Sequence, residues 1–260
     1  MLKSALNNIF VVSFYTANTP YEKEAKSLKK SLNRFNAPHL VEPLQPKGSW
    51  VENCALKANF VKDARQRLKS DIWWLDADAE LCKPLTTFPN GKPDIAAYVT
   101  DGNNFRSGVV FFAYNETVDL IVNLWGEYCE KYPNVFDQVL LSFAIHNVSC
   151  VEKVRFEILP REYYKKPKMN QMPKLRHRVL ERFGLRDGPV VRQNQASRRL
   201  KEQFCANNNE ISIKDLDEET KKLLASAEKK SIDVKTVVER ALEVRLSAET
   251  QQVNKRNAAL

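Results

Sequence analysis

Two adjacent tryptophans sit in the stretch Ser70-Asp71-Ile72-Trp73-Trp74-Leu75-Asp76-Ala77-Asp78-Ala79-Glu80-Leu81. The uninterrupted apolar run Ile72 to Leu75 is the length of a short strand buried on both faces. It ends in two carboxylates one residue apart, with a third acid at Glu80. Residues two apart in an extended chain point the same way, so Asp76 and Asp78 converge if the strand continues through them. Two facing carboxylates repel unless a proton or a cation lies between them. Oxygen ligands of this kind suit Mg²⁺ or Mn²⁺, ions that also bind substrate phosphates. The other reading is a strand followed by an acidic turn, and this stretch alone leaves both open.

The flanking segments supply a frame. Asn8 to Phe14 is a β-branched and aromatic run ending in Tyr15-Thr16, and predicts the first strand. Pro20 opens a helix with Ala25, Leu28 and Leu32 on one stripe, continuing through Arg34. His39 to Val41 predicts a second short strand, Gln45 to Ser49 a loop, and Val51 to Leu68 a longer helix. With Ile72–Leu75 this makes a βαβαβ unit, hence a parallel sheet with helices on its faces. Ligands of such sheets bind beyond the carboxyl ends of the strands, where Thr16 and Asp76 both fall.

Further along, Ile95 to Val99 predicts a strand and Asp101 to Asn104 a polar loop. Phe105 to Phe112 follows as another strand, with Ser107-Gly108 at its polar entrance. Thr117 to Tyr132 predicts a helix broken at Pro133-Asn134, and a second helix starts at Phe136 with Asp137 and Gln138 in its first turn. The alternative for Asp137 there is an N-cap. Residues 154–159 are expected to form the last short strand. Trp73 and Trp74 read as core.

Composition closes several alternatives. Only seven glycines occur in 260 residues, and neither GxGxxG nor GxxxxGK[ST] is present, which argues against dinucleotide-binding and P-loop folds. Five scattered cysteines without CxxC spacing indicate neither a zinc site nor a disulfide framework, and fit a reducing, cytoplasmic setting. The apolar run at Ile9 to Tyr15 is too short for a membrane span. The net charge of +9 is concentrated: residues 151–204 hold fifteen Lys and Arg against six Asp and Glu, while 1–150 and 205–260 each balance. A basic block of this kind suggests a polyanion or a nucleotide diphosphate as partner. The alternative is a solvated surface.

Together these residues carry a resemblance. The first strand from Val11 to Thr16, Trp50 with Lys57, Leu75-Asp76-Ala77-Asp78, Ser107-Gly108, Asp137-Gln138, Leu159-Pro160 and Gln195-Ala196-Ser197-Arg198-Arg199-Leu200-Lys201 come in an order that resembles GT-A fold nucleotide-diphospho-sugar transferases. Within these, the chain is most similar to a compact group common in bacteriophages. The resemblance covers roughly residues 8–204 and implies a mainly parallel twisted α/β sheet flanked by helices. It also implies a DxD site in which Asp78 and Asp76 hold Mn²⁺ or Mg²⁺ on the diphosphate of a donor, a UDP-sugar, with Asp76 shared with the ribose. On the same grounds Tyr15 and Thr16 lie against the base, Lys57, Trp50, Ser107 and Gly108 near the nucleotide, and Arg198 and Lys201 on the phosphates. Asp137 with Gln138 faces the transferred sugar. One departure is specific: where related sequences carry a histidine ligand, this chain has Gln193, and His39, His146 and His177 do not replace it.

Residues 205–260 change character, with Ile211 to Lys214 alternating like a strand and two helical patterns after it. This order resembles a ribbon-helix-helix DNA-binding module, with Ser212 and Lys214 facing DNA, and implies a homodimer through the appendage. The alternative is a helical pair that docks on the first domain or mediates assembly. The expectation from sequence is therefore a transferase domain at 1–204 and a helical appendage at 205–260. The acceptor expected is a hydroxylated or hydroxymethylated pyrimidine in phage DNA, in the host cytoplasm. A glycan or protein acceptor, or a non-catalytic DNA-binding protein on the same scaffold, are the alternatives.

Overall fold

The computed structural model describes residues 9–48, 50–85, 88, 91–99, 105–133, 135–164, 188–194 and 196. The polar loop expected at Asp101 to Asn104, and His177, Arg198, Lys201, Cys205 and the whole appendage with Ser212 and Lys214, lie outside the described residues.

The βαβαβ unit is present. Strand β1 (Ile9–Thr16) leads through α1 (Tyr21–Arg34) to β2 (His39–Leu44), and α2 (Trp50–Leu68) leads to β3 (Asp71–Leu75). Both β2 and β3 pair parallel to β1, on opposite sides of it. Because the chain crosses once in each direction, the right-handed crossover rule sends α1 and α2 to opposite faces of the sheet. Leu28 and Leu32 of α1 are fully buried on one face, as are Ala58, Val61 and Ala64 of α2 on the other.

The short strand β4 (Ala79–Leu81) follows β3, and then come β5 (Ile95–Val99), β6 (Phe105–Phe112), α3 (Glu116–Lys131), α4 (Asp137–Ser149) and β7 (Phe156–Ile158). The main sheet has the order β2-β1-β3-β6-β5-β7. Strand β6 runs antiparallel to both neighbours, and the other five strands share one direction. Its pairing with β5 slips at Ala97/Tyr98: Ala97 faces Val110, yet Tyr98 faces Arg106. The β6 residues between those pairs, Ser107 to Val109, therefore arch away from β5. Irregularities of this kind re-aim side chains, and this one lies at the carboxyl end of the sheet.

Alternation along β3 divides the two tryptophans between layers. Trp74 packs tilted on Phe14 and edge-on to Phe60 of α2. Trp73 stacks on Phe88 and on Tyr163 of the 3₁₀ turn Arg161–Tyr164. Both are buried core, as expected.

Two expectations need correction. Residues 154–159 do not form the last strand: β8 (Val191–Gln193) follows and pairs antiparallel with β4, placing Gln193 opposite Ala79. Three residues are too few to show a period, so sequence patterning passes over it. The second correction concerns the carboxylate pair. Strand β3 stops at Leu75, and Asp76-Ala77-Asp78 is a turn closed by Ala79 N–H donating to the Asp76 carbonyl at 2.9 Å. Asp76 and Asp78 approach through that turn, not through strand alternation.

Candidate active site

The site gathers at the carboxyl end of β3, where β6 arches past it. Asp76 N–H donates to the Gly108 carbonyl at 3.0 Å, which locks the carboxylate turn to the arch. The same carbonyl accepts from Gln193 Nε2 at 3.0 Å, so β8 is fastened to the arch as well. Gly108 lets three side chains close in here. A Cβ at this position would lie 2.9 Å from Asp76 Oδ2, 3.1 Å from Tyr164 Cε2 and 3.3 Å from Gln193 Nε2. The absent side chain thus leaves a cradle walled by a carboxylate, a phenol ring and an amide.

Lys57, about two turns into α2, reaches into this end of the sheet and is buried. Its Nζ lies 3.1 Å from Asp76 Oδ1 and 3.0 Å from Asp137 Oδ2, and donates to Ser107 Oγ at 3.2 Å. It also lies 5.2 Å from the Trp74 ring centroid, a cation–π distance. Burial pulls the ammonium pKa down, but Asp137 and Asp76 more than offset this and hold it above the ordinary lysine value. Lys57 therefore stays charged.

Asp137 is buried at the first position of α4. Phe136, not Asp137, occupies the cap position, and it makes no side-chain cap bond. The Asp137 carboxylate turns inward, accepting from Ser107 Oγ at 3.0 Å, and its carbonyl accepts from Trp125 Nε1 at 2.9 Å. The N-cap alternative is thus set aside. Asp76 is held from a third side by Trp74 Nε1 at 2.9 Å, while 36% of its side chain stays exposed. Its Oδ1 is engaged by the protein and its Oδ2 faces the cradle.

Asp78 is nearly buried at 9% exposure. Its Oδ2 accepts from the Ala196 N–H at 2.6 Å, and its carbonyl from Asn194 N–H at 3.1 Å. Burial, and after it the charge of Asp76, push its pKa up to about 6. A buried carboxylate beside a second one, with oxygens to spare, is the environment that a cation relieves. Among the described residues no group of three or more His, Cys, Asp or Glu gathers as a metal centre. Asp76 and Asp78 nonetheless supply carboxylate oxygens of the kind Mg²⁺ or Mn²⁺ takes, while the Gln193 amide turns its Nε2 toward Gly108. The cradle opposite Gly108 is the space beside Asp76, so the two carboxylates fit the ion.

Of the residues singled out from sequence, Lys57, Asp76, Asp78, Ser107, Gly108, Asp137 and Gln193 come together. Tyr15 and Thr16 end β1 at the same edge of the sheet; the Thr16 hydroxyl bonds Thr19 Oγ1 at 2.8 Å, and Lys29 Nζ lies 5.9 Å from the Tyr15 ring centroid. Trp50 opens α2 and packs edge-on against Phe136 at 5.7 Å. Gln138 is in the first turn of α4, its carbonyl accepting from Ser142 Oγ. Two phenols were not anticipated. Burial raises the Tyr21 pKa, opposed by a hydrogen bond with Trp50 and aided by the charges of Asp78 and Asp76. Burial likewise pushes Tyr164 up to about 12, and its ring stacks on Tyr98 at 5.3 Å. Neither carries a local sequence signal, since a tyrosine near a turn is ordinary.

Comparison with known proteins places the fold. No family model matches the chain, and no curated protein matches it by sequence. A solved glycosyltransferase involved in the glycosylation of the major capsid of PBCV-1 superposes with a TM-score of 0.54 at 12% identity, covering 76% of this chain and 99% of that one. Galactosyltransferase LgtC, bound to donor and acceptor sugar analogues, superposes at 0.41 and 12% identity over 82% of this chain and 99% of that one. The mainly parallel sheet with one reversed strand and helices on both faces is a GT-A type α/β fold. Among the described residues no helix is long and apolar enough to cross a membrane.

Proposed function

We propose that this chain is a metal-dependent glycosyltransferase that moves a sugar from a nucleotide-diphosphate donor, a UDP-sugar, to a hydroxyl acceptor. The observation that carries this reading is the Lys57 ammonium joined at 3.1 Å and 3.0 Å to two carboxylates of different kinds. Asp76 belongs to the oxygen-rich turn and faces the cradle; Asp137 is buried and faces no second acid in the contacts it makes.

Sugar transfer breaks the bond from the anomeric carbon to the diphosphate and forms one to the acceptor oxygen. Negative charge builds on the departing diphosphate and positive charge on the carbon. Asp76 and Asp78, with Gln193 beside them, would hold a divalent cation, which would neutralise charge on the diphosphate. Lys57 fixes Asp76 and Asp137 relative to each other, and the Ser107 hydroxyl orients the Asp137 oxygen that it meets. Asp137, with Gln138 beside it, supplies the negative charge that faces the transferred sugar. Arg198 and Lys201 add cationic charge toward the phosphates, and Tyr15, Thr16 and Trp50 form the base-side rim.

For the acceptor we propose a hydroxylated or hydroxymethylated pyrimidine in phage DNA. The support is the basic 151–204 block and the similarity of the ordered motifs to bacteriophage transferases. Incubating the full chain with UDP-sugars, Mn²⁺ and hydroxymethylated duplex DNA tests both parts. Sugar incorporation that is lost with EDTA and with Asp78→Ala is the expected result. Transfer to an oligosaccharide or protein but not to DNA rejects the acceptor, while no turnover or donor hydrolysis with any nucleotide-sugar rejects the transferase reading.

A further inference from the structure

Arg106 is the second residue of β6, at the carboxyl end of the sheet, and faces Tyr98 of β5 across the slip in pairing. It is half-buried, and its Nε is sequestered from solvent with no hydrogen-bond partner. Among the described residues no carboxylate pairs with it. This contrasts with the buried Arg65, tied to Asp119, and the half-buried Arg192, tied to Glu80. A buried guanidinium donor without an acceptor is rare in a folded protein, and where one occurs it calls for a missing partner.

Its position says what that partner is. Arg106 lies across the strand pair from Tyr98 and two residues before Gly108, which sets it next to the cradle's end of β6. Tyr164 walls that cradle opposite Gly108 and stacks on Tyr98, the cross-strand neighbour of Arg106. Arginine presents a planar fork that matches the oxyanions of phosphate better than any other side chain.

We infer that Arg106 is a substrate-binding residue whose guanidinium takes a phosphate oxyanion of a bound substrate, beside an aromatic wall made by Tyr98 and Tyr164. The inference rests on the transferase reading, because that reading brings phosphate to this end of the sheet. Two substrates supply the same chemistry: the donor diphosphate, and a phosphate flanking the acceptor nucleotide.

The test is binding calorimetry on the full chain with Mn²⁺, using UDP and, separately, a short hydroxymethylated DNA duplex, for wild type, Arg106→Met and Arg106→Lys. Loss of one charge-assisted bidentate contact weakens binding about ten- to a hundredfold. Arg106→Met is expected to lose that factor toward one of the two probes, and Arg106→Lys to recover only part of it. A loss confined to UDP assigns the donor diphosphate, and a loss confined to the duplex assigns the acceptor phosphate. The melting temperature separates a binding role from a structural one. Removing a donor that has no partner leaves it unchanged or raised, whereas a drop of several degrees shows that Arg106 holds the fold, and overturns the inference. Unchanged affinity of Arg106→Met for both probes, with normal wild-type binding, overturns it while leaving the transferase reading intact. Wild-type protein that binds neither probe overturns both.

Discussion

Replacing Lys57 by methionine tests how the site is held together. The stem of the side chain is conserved in volume, so the packing against Trp74 survives and the perturbation is one of charge. What is lost differs between the two partners. The Asp76 side chain is 36% exposed and keeps the Trp74 indole as a donor, so solvent screens most of its share, leaving roughly 0–1 kcal/mol. Asp137 and Lys57 are each 7% exposed, and removing one partner of a buried pair strands the other, at a cost of about 3–5 kcal/mol. Ser107 Oγ still donates to Asp137, which places the expectation toward the lower end of that range.

Guanidinium chloride unfolding at pH 7.5 in EDTA measures the difference. Against a typical stability of about 5–15 kcal/mol the variant stays folded, with a clear fall in midpoint. The decisive comparison is the double variant Lys57→Met with Asp137→Leu. Replacing both members of a buried pair by apolar groups is near neutral, so most of the loss should return. A Lys57→Met variant within about 0.5 kcal/mol of wild type refutes the reasoning, being no more than an ordinary surface change. So does a double variant no more stable than the single one, because the stranded charge would then not be the cause.

Three further outcomes are expected. Gly108→Ala places a Cβ 2.9 Å from Asp76 Oδ2, the end of a half-exposed side chain that can swing aside, so stability should change little while Mn²⁺ affinity measured by calorimetry falls at least tenfold. Arg65 is 1% exposed and donates to the Ala113 and Asn115 carbonyls as well as Asp119; Asp119 is 53% exposed and Asn115 keeps the Asp119 N–H, so Arg65→Leu should cost about 1–3 kcal/mol in chemical denaturation, mainly by leaving the Ala113 carbonyl unpaired. Asp78 is pushed from 3.8 up to about 6 in the folded chain, which means that the folded state holds an extra proton between those values. Its contribution is favourable below about pH 4 and is lost as pH rises to 6, a swing of roughly 3 kcal/mol. Asp78→Asn should therefore stabilise the metal-free protein at pH 7.5, yet lose Mn²⁺ binding, and wild-type Mn²⁺ affinity should fall as pH drops below about 6.

The frame was legible because its signals are local. The Ile72 to Leu75 run, the stripe Ala25, Leu28 and Leu32, and the helix through Lys57 each declare themselves within one element, and the order of elements then dictates a parallel sheet with its site at the carboxyl ends. Asp76 could be chosen because it falls at such an end and Asp78 because it pairs with it, whereas Lys57 and Asp137, both on helices, could be chosen only through the resemblance of the ordered motifs. What stayed hidden is what depends on contacts between distant segments. The pairing of Ala79 with Gln193 joins residues 114 apart on strands of three residues, too short to carry a pattern. The arch at Ser107 to Val109 arises from a slip between β5 and β6, and the sequence of either strand alone looks regular. Arg106 drew no attention because an arginine at a strand entrance is ordinary until its neighbours are known to leave it without a partner.

The two carboxylates of the turn are unequal in ways that only the fold explains. Asp76 is fastened early: its N–H is bonded to β6, and its Oδ1 to Trp74 and Lys57, all within the βαβαβ unit and the strand beside it. Asp78 is fastened by the Asn194 and Ala196 amides, which arrive with β8. Half of the candidate cation site is therefore set by the sheet and half by a short two-stranded ribbon whose pairing is worth little by itself. A cation bridging Asp76 and Asp78 would tie the ribbon to the sheet, so Mn²⁺ should slow hydrogen exchange at the Asn194 and Ala196 amides far more than at β1 or β3. Equal protection across the sheet and the ribbon would show instead that β8 docks independently of the ion, and that the Asp78 environment is complete without it.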